Sequence, residues 1–544
     1  APGAEDSSLS TRGDDGPIWS PDGSSMAFVS NSLLHTMPVD EAGNATGDPS
    51  IINNDIADAP SWSGDSSKLL YLSNGALMLA DATSGETVEV EVPLQVEPKI
   101  EEGLKTIQAG ALWDGTSETL RENVDIVIRD NRIESISDRG ENETQGEVID
   151  ATDLTVMSGL VDAHIHQGLQ SRFQGDRQGR TNLAYGVTTT MSMGDQAYRA
   201  MEERDSIDAG ERVGPRFFAT GEPIDGSRVY YNFMRPTNSE EDIQRELDRA
   251  ESLNYDFYKT YVRLPASGME QVIETAHSKG IPSGSHYMSP GMFLGQDGTT
   301  HLAATQRLGY ARTMSKTGQT YADIPTLYGE GNRFVISTLF TTDFITAQEF
   351  DGDNRMELMP SWINEKLMDA ISDNTAVPND ANCETAPCRE VQALKEINEA
   401  GGQVMVGTDS PLDYVGLGMQ TNLRELVGYG WSPYEALRAA TSAPAHFLGL
   451  EDDLGTVEPG KLADLIAVRG NPLENIDDLI KVELTMVGGK AYSQEELFAP
   501  FNPEKQQAVA AGAEGVATRV TEYANASVIN PDHLSNDGND GHDH

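Results

Sequence analysis

The segment GLVDAHIHQG, residues 159–168, decides how the rest of the chain is read. An apolar run ends in His164 and His166, in a sequence with 10 histidines among 544 residues. So short an apolar run predicts a buried strand. Residues two apart on a strand point to one side, so both imidazoles project together. Two imidazoles on one side can hold one metal ion, and two adjacent polar strand residues can equally be solvated.

Outward from that stretch, seven more segments read as strands: GVTTTMSMG (186–194), PRFFATG (215–221), DFYKTYV (256–262), IPSGSHY (281–287), GTTHLAA (298–304), RFVISTLF (333–340) and QVMVGTDS (403–410). Helical segments such as SEEDIQRELDRAESLN (239–254) and MEQVIETAHSKG (269–280) lie between several of them. Strands alternating with helices predict an α/β fold, a (β/α)8 TIM-like barrel over residues 158–447. Functional side chains of such a barrel gather at the C-terminal ends of its strands. Lys259 lies near the end of the fourth strand, His286 ends the fifth, His301 falls in the sixth and Asp409 ends the eighth. With His164 and His166 they would converge at one rim.

The flanks differ in character. TIQAGALWDG (106–115), VDIVIRDNRIESIS (124–137), GTVEPGKLADLIAVRG (455–470) and VELTMVGGKAYS (482–493) alternate apolar and polar residues between turns. Residues 97–157 and 448–502 are therefore expected to form one composite β-sandwich. Ahead of them, WSPDGSSMAFVS (19–30) and WSGDSSKLLYLS (62–73) repeat a Trp-Ser-x-Asp turn and a strand. A period of roughly 40–45 residues is that of propeller blades, and closure needs about four or more of them. Residues 1–96 thus read as a partial propeller, similar to TolB-like blades, with a coincidental β-meander as the alternative. Residues 503–544 read as a helix and an acidic disordered tail.

Acidic residues number 87 against 38 basic ones, a net charge of −49. That balance argues against nucleic acid and anionic membrane surfaces as partners. No run approaches the roughly 20 apolar residues of a membrane span. The charge fits adaptation to high salt, where a Debye length near 3 Å at about 1 M mutes surface repulsion. The start at Ala1 is that of a processed form or an excised fragment. An extracellular or periplasmic location is slightly favoured, the cytoplasm of a salt-adapted cell being the alternative. Cys383 and Cys388 are the 2 cysteines, too few for a zinc site of their own. A loop disulfide and two free thiols are both open.

Together these motifs resemble the amidohydrolase superfamily of metal-dependent hydrolases, over roughly residues 100–495. The resemblance rests on the His-x-His of GLVDAHIH, Lys259, the single histidines His286 and His301, the aspartate of GTDSP (407–411), and SAPAHFLGLEDDLGTVEPGKLADLIAV (442–468). KTYVRLP (259–265) and SHYMSPGMFLGQDGTTHLAATQRLGY (285–310) are similar to the branch that carries a TolB-like propeller ahead of its barrel. One departure is Thr300, where that branch usually has an acidic residue.

The resemblance implies two divalent ions, Zn2+ being favoured. His164, His166 and Asp409 would hold the first, and His286 and His301 the second. Lys259, carboxylated on its amine, would bridge them, since a carbamate offers anionic oxygens where an ammonium offers none. Asp409 would take a proton from a bridging hydroxide and pass it to the leaving group. The bond would be an amide, peptide or N-acyl C–N bond, or a related ester or lactam, in a small molecule or short peptide. Tyr230, Tyr231, Arg263 and Arg307 are candidate substrate contacts, with structural roles as the alternative. A homo-oligomer is expected. The competing readings are a mononuclear deaminase, in which Lys259 is an ordinary lysine, and a binding module with an inactive barrel.

Overall fold

In the computed structural model, the described residues are 15–93, 97, 99–166, 176–231, 233–302, 313, 315, 319–339, 355–358 and 383–501. Each Trp-Ser-x-Asp segment lies in a four-stranded antiparallel sheet. The first sheet holds β1 (Ile18–Trp19), β2 (Ser25–Ser30), β3 (Leu33–Pro38) and β4 (Ser50–Ile56). The second holds β5 (Asp58–Trp62), β6 (Lys68–Ser73), β7 (Ala76–Asp81) and β8 (Thr87–Glu89). The repeated turn has one chemistry in both copies. Ser20 Oγ donates to Asp22 and Ser63 Oγ to Asp65, each at 2.7 Å, and each aspartate also accepts the amide two residues on. Such a side chain fixes a tight turn between strands. Buried Ala27, Leu34, Leu69 and Tyr71 belong to one cluster that draws on both sheets.

Next come β9 (Leu104–Leu112), β10 (Arg121–Arg129), β11 (Arg132–Asp138) and β12 (Glu147–Ser158). Where the composite β-sandwich is expected, the described residues hold one hydrogen-bonded seven-stranded sheet. β12 pairs parallel to β9 on one side and antiparallel to β21 (Leu465–Val468) on the other. β22 (Val482–Val487) and β23 (Lys490–Ser493) complete it. The sheet is therefore composite, as the alternation at both ends implied. Its β11 end also meets the approach to β21, through an antiparallel bridge from Arg132 to Leu462.

All eight candidate barrel segments contain parallel strands: β13 (Leu160–Ile165), β14 (Val187–Ser192), β15 (Arg216–Ala219), β16 (Tyr258–Thr260), β17 (Ser283–Ser285), β18 (Gly298–Thr299), β19 (Phe334–Ile336) and β20 (Gln403–Met405). They form sheets of three and five strands, β13 to β15 and β16 to β20. Single parallel bridges, Ile224 to Thr260 and Ile165 to Ser410, span the two junctions. Buried Ala163, Met191, Phe257, Phe334, Ile336 and Met405 form a cluster that draws on both sheets. The fold is a TIM-barrel-like α/β arrangement.

Helices α1 (Arg177–Ala184), α2 (Ala197–Asp208), α3 (Glu240–Ser252) and α4 (Ala266–Ser278) follow the first four of these strands. α3 shows why its sequence starts a helix where it does. Ser239 caps it by accepting the Asp242 amide at 3.1 Å, and Glu240, Glu241 and Asp242 place negative charge at the positive end of the dipole. Ile243, Leu247 and Ala250 form its buried stripe. α5 (Asp323–Gly329) and α6 (Ala386–Glu399) precede β19 and β20. Cys383 and Cys388, left open as disulfide or thiols, form a disulfide at the start of α6. Among the described residues no helix is long and apolar enough to cross a membrane.

Candidate metal centre

The β12–β13 junction places the first two histidines. Gly159 is required there because a Cβ would lie 2.1 Å from Thr188 Oγ1. β13 then carries His164 and His166 to its C-terminal end. On the far side of the ring, a Cβ on Gly407 would meet the His164 amide nitrogen at 2.8 Å, so glycine lets β20 close against β13. Beyond it Asp409 donates its backbone N–H to the His164 carbonyl at 2.7 Å. Asp409 has φ of 56°. A non-glycine residue held in that left-handed region is strained, a feature common at functional sites.

The side chains meet. His164 Nε2 lies 3.3 Å from His166 Nε2, and Asp409 Oδ1 lies 3.4 Å and 2.9 Å from those nitrogens. His301 Nε2 is 3.7 Å from Asp409 Oδ2. His164, His301 and Asp409 offer ligand atoms that all lie within 4.8 Å of one another, and all three residues are buried. The outer face of each ring is committed elsewhere. His164 Nδ1 lies 3.0 Å from the Thr300 carbonyl and His166 Nδ1 2.6 Å from the Gly194 carbonyl. A carbonyl only accepts, so both Nδ1 atoms carry the hydrogen and, in neutral rings, both Nε2 lone pairs face inward. His301 Nδ1 meets Thr338 Oγ1 at 2.7 Å, and its buried Nε2 has no hydrogen-bond partner.

This donor set fits a cation. Ligands at about 2.0–2.1 Å from a tetrahedral ion sit roughly 3.3 Å apart, the spacing of the two inward nitrogens. The electrostatics agree. Burial holds the His164 pKa well below 6.5, with Lys259 and His301 adding to it, and burial pulls His301 down to about 4 against Asp409. Both are neutral imidazoles, the ligating form. At His166 burial opposes charge, but the Asp409 carboxylate overrides it and raises the pKa. That spot favours a positive charge.

Lys259 is buried in β16 and donates from Nζ to the Met193 carbonyl at 2.7 Å. Burial pulls its pKa to about 7, against the opposing pull of Asp409 and Asp195. His286 is also at the rim, its ring centroid 4.4 Å from that of His301. Its Nε2 lies 3.0 Å from the Tyr261 hydroxyl and its Nδ1 3.3 Å from Thr300 Oγ1. Thr300 thus faces two of the histidines, one through its carbonyl and one through its hydroxyl.

Tyr230 and Tyr231 pack against Tyr261, with ring centroids 5.6 Å and 5.5 Å away. Arg263 brackets their loop. Its guanidinium donates to the Val229 carbonyl at 2.7 Å and sits 5.4 Å from the Tyr230 ring centroid. Arg307 lies outside the described residues. Sequence reasoning missed Tyr261 and Thr338. Tyr261 had a signal, since it stands two residues beyond Lys259 and shares its side of the strand. Thr338 had none.

The Amidohydrolase family model matches residues 356–492, which include Asp409 and the returning strands. An adenine deaminase from Methanosphaera stadtmanae is 28% identical over 115 residues, 21% of this chain and 20% of that protein. The match thus spans about a fifth of that relative's length. Among solved structures, a Xaa-Pro dipeptidase with methionine bound in its active site superposes with TM-score 0.56 at 22% identity, covering 72% of this chain and 100% of the other. Phenylurea hydrolase B gives TM-score 0.56 at 18% identity, over 74% and 99%. At these identities the structural likeness is one of fold.

Proposed function

We propose that this chain, which belongs to the amidohydrolase superfamily, is a metal-dependent hydrolase of carbon–nitrogen bonds in small molecules or short peptides. One observation carries the reading. A buried imidazole, His164, and a half-buried one, His166, both with outward Nδ1 hydrogens, bring their Nε2 atoms within 3.3 Å of each other beside a carboxylate. Without a positive charge among them, a metal ion or a proton on His166, that arrangement is repulsive.

His164, His166 and Asp409 would hold one divalent ion, Zn2+ being favoured, and His286 and His301 a second. Metal at this rim would supply an activated water at neutral pH and a polarised carbonyl. The remaining chemistry belongs to the chain. Asp409, its pKa lowered by His166 despite burial, receives a proton from the attacking water and delivers it to the departing nitrogen. Gly194 and Thr300 hold the imidazoles in the ligating tautomer through their carbonyls. Lys259, its pKa drawn down to about 7 by burial, is a free amine in about half of the molecules at that pH, able to add CO2 and become the bridging carbamate. His286 would exchange its contact with Tyr261 for the second ion, which frees that hydroxyl to donate to a substrate oxygen. The two N-terminal sheets are read as propeller blades.

The adenine deaminase match supports a second reading, deamination at a single ion. A panel of N-acyl amino acids, Xaa-Pro dipeptides and aminopurines, assayed on metal-loaded protein for released amine or ammonia, separates the two. Amine release from the amides with about two ions per chain supports hydrolysis. Ammonia release from the purines with about one ion supports deamination. Turnover of neither, at full metal loading, would leave a binding module.

A further inference from the structure

A second buried charged cluster joins the N-terminal sheets to the barrel. Asp58, in β5, is 2% exposed, and one of its oxygens is paired with Arg235. Its other oxygen accepts from the Tyr198 hydroxyl at 3.0 Å and lies 3.4 Å from Arg249. Arg235 also pairs with Glu222, and Arg249 with Glu246, which accepts the Ser32 hydroxyl. Arg235 and Arg249 are 3% and 0% exposed, so water does not compensate them.

Arg235 and Glu222 lie at the two ends of one loop, between β15 and α3. Between them stand Tyr230 and Tyr231, whose rings pack on Tyr261, itself on His286. Within the loop, Asp225 accepts the Tyr230 amide at 2.8 Å and the Arg263 amide at 2.7 Å. At the Glu222 end, the Gly221 carbonyl accepts the Asp195 amide at 2.9 Å, next to the Gly194 carbonyl that orients His166. The loop is thus pinned internally and at both ends, and the outermost pin comes from a separate part of the chain.

We infer that Asp58 is a positioning residue for substrate recognition. Through Arg235 it fixes the loop that presents Tyr230 and Tyr231 at the rim. The inference rests on the hydrolase reading of that rim. It also gives the N-terminal sheets a role in the reaction that their distance from the histidines in sequence conceals.

The test compares the full-length wild type with Asp58→Asn and Tyr198→Phe. The readouts are bound metal, steady-state kinetics on the best N-acyl amino acid or dipeptide, and amide hydrogen exchange over residues 222–238. Loss of a charged hydrogen-bonded pair should raise KM and speed exchange about tenfold in Asp58→Asn, with kcat and metal content within about twofold. Tyr198→Phe removes one hydrogen bond and keeps every charge, so shifts of about two- to threefold in the same direction are expected. A merely structural role would lower the yield of folded protein and leave KM alone. Unchanged KM and exchange in folded Asp58→Asn would overturn the inference. Should Asp58→Asn fail to fold, unchanged values in Tyr198→Phe would overturn it. A wild type that hydrolyses nothing would sink the hydrolase reading, and exchange in the two variants would still decide whether Asp58 holds the loop.

Discussion

Two buried polar clusters lie on this fold, and they are built on opposite plans. Around Asp58, two arginines answer three carboxylates, Asp58, Glu222 and Glu246, with direct ion pairs. At the rim, His164, His301 and Asp409 turn acceptor atoms toward one another beside His166, whose charged form Asp409 favours, and the buried His301 Nε2 has no hydrogen-bond partner. Both clusters are nearly dry, so solvent does not explain the difference. Burying a charge or a lone pair is costly unless it is compensated. One cluster carries its own cations and is a structural clamp. The other would be completed by the metal ion proposed above.

That contrast can be broken by substitution. The largest effect is expected from Asp409→Asn, which should lower hydrolysis roughly 10²–10⁴-fold because the proton carrier is lost. It should leave the denaturation midpoint of metal-free protein little changed. Arg235→Met should behave in the reverse sense. It leaves Asp58 and Glu222 buried without their partner, at a cost of about 3–5 kcal/mol in denaturant-measured stability. Equal stability losses in the two variants would erase the distinction between clamp and metal site.

Lys259 gives a pH-dependent test on metal-free protein. Its folded pKa is about 7 against an unperturbed 10.5. Below pH 7 the fold must bury an ammonium, and that penalty is at its full size. Between pH 7 and 10.5 the unfolded chain binds more protons, so this contribution makes stability rise with pH. Above 10.5 the penalty is gone. Lys259→Met should therefore stabilise metal-free protein at pH 7, with a gain that shrinks toward pH 10.5. A pH-independent difference would mean the amine is solvated. A smaller effect is expected from Thr338→Val, which removes the Nδ1 partner of His301. Metal affinity, read by competition with a chromophoric chelator, should fall about 10–100-fold.

Much of this was legible in the sequence, for reasons that can be named. The eight parallel strands announced themselves as short apolar runs between turns, and the first and last brought His164, His166 and Asp409 to matching ends. The two Trp-Ser-x-Asp turns were legible because their bonds are local, Ser20 to Asp22 and Ser63 to Asp65. The flanking strands were legible as strands, because alternation shows which face is buried, while their order across the sheet was not. The orienting partners were hidden. Thr300 and Gly194 act through backbone carbonyls, which no residue type betrays. Asp58 and Arg235 are 177 positions apart, and only the fold brings them together.

Metal binding tests the central claim most directly. Chelator-stripped wild type and His166→Ala would be incubated with Zn2+, passed through a desalting column and measured for metal by mass spectrometry. The account predicts that the wild type retains at least one ion per chain, with two favoured, and that His166→Ala retains less. A folded wild type that emerges free of metal would contradict it.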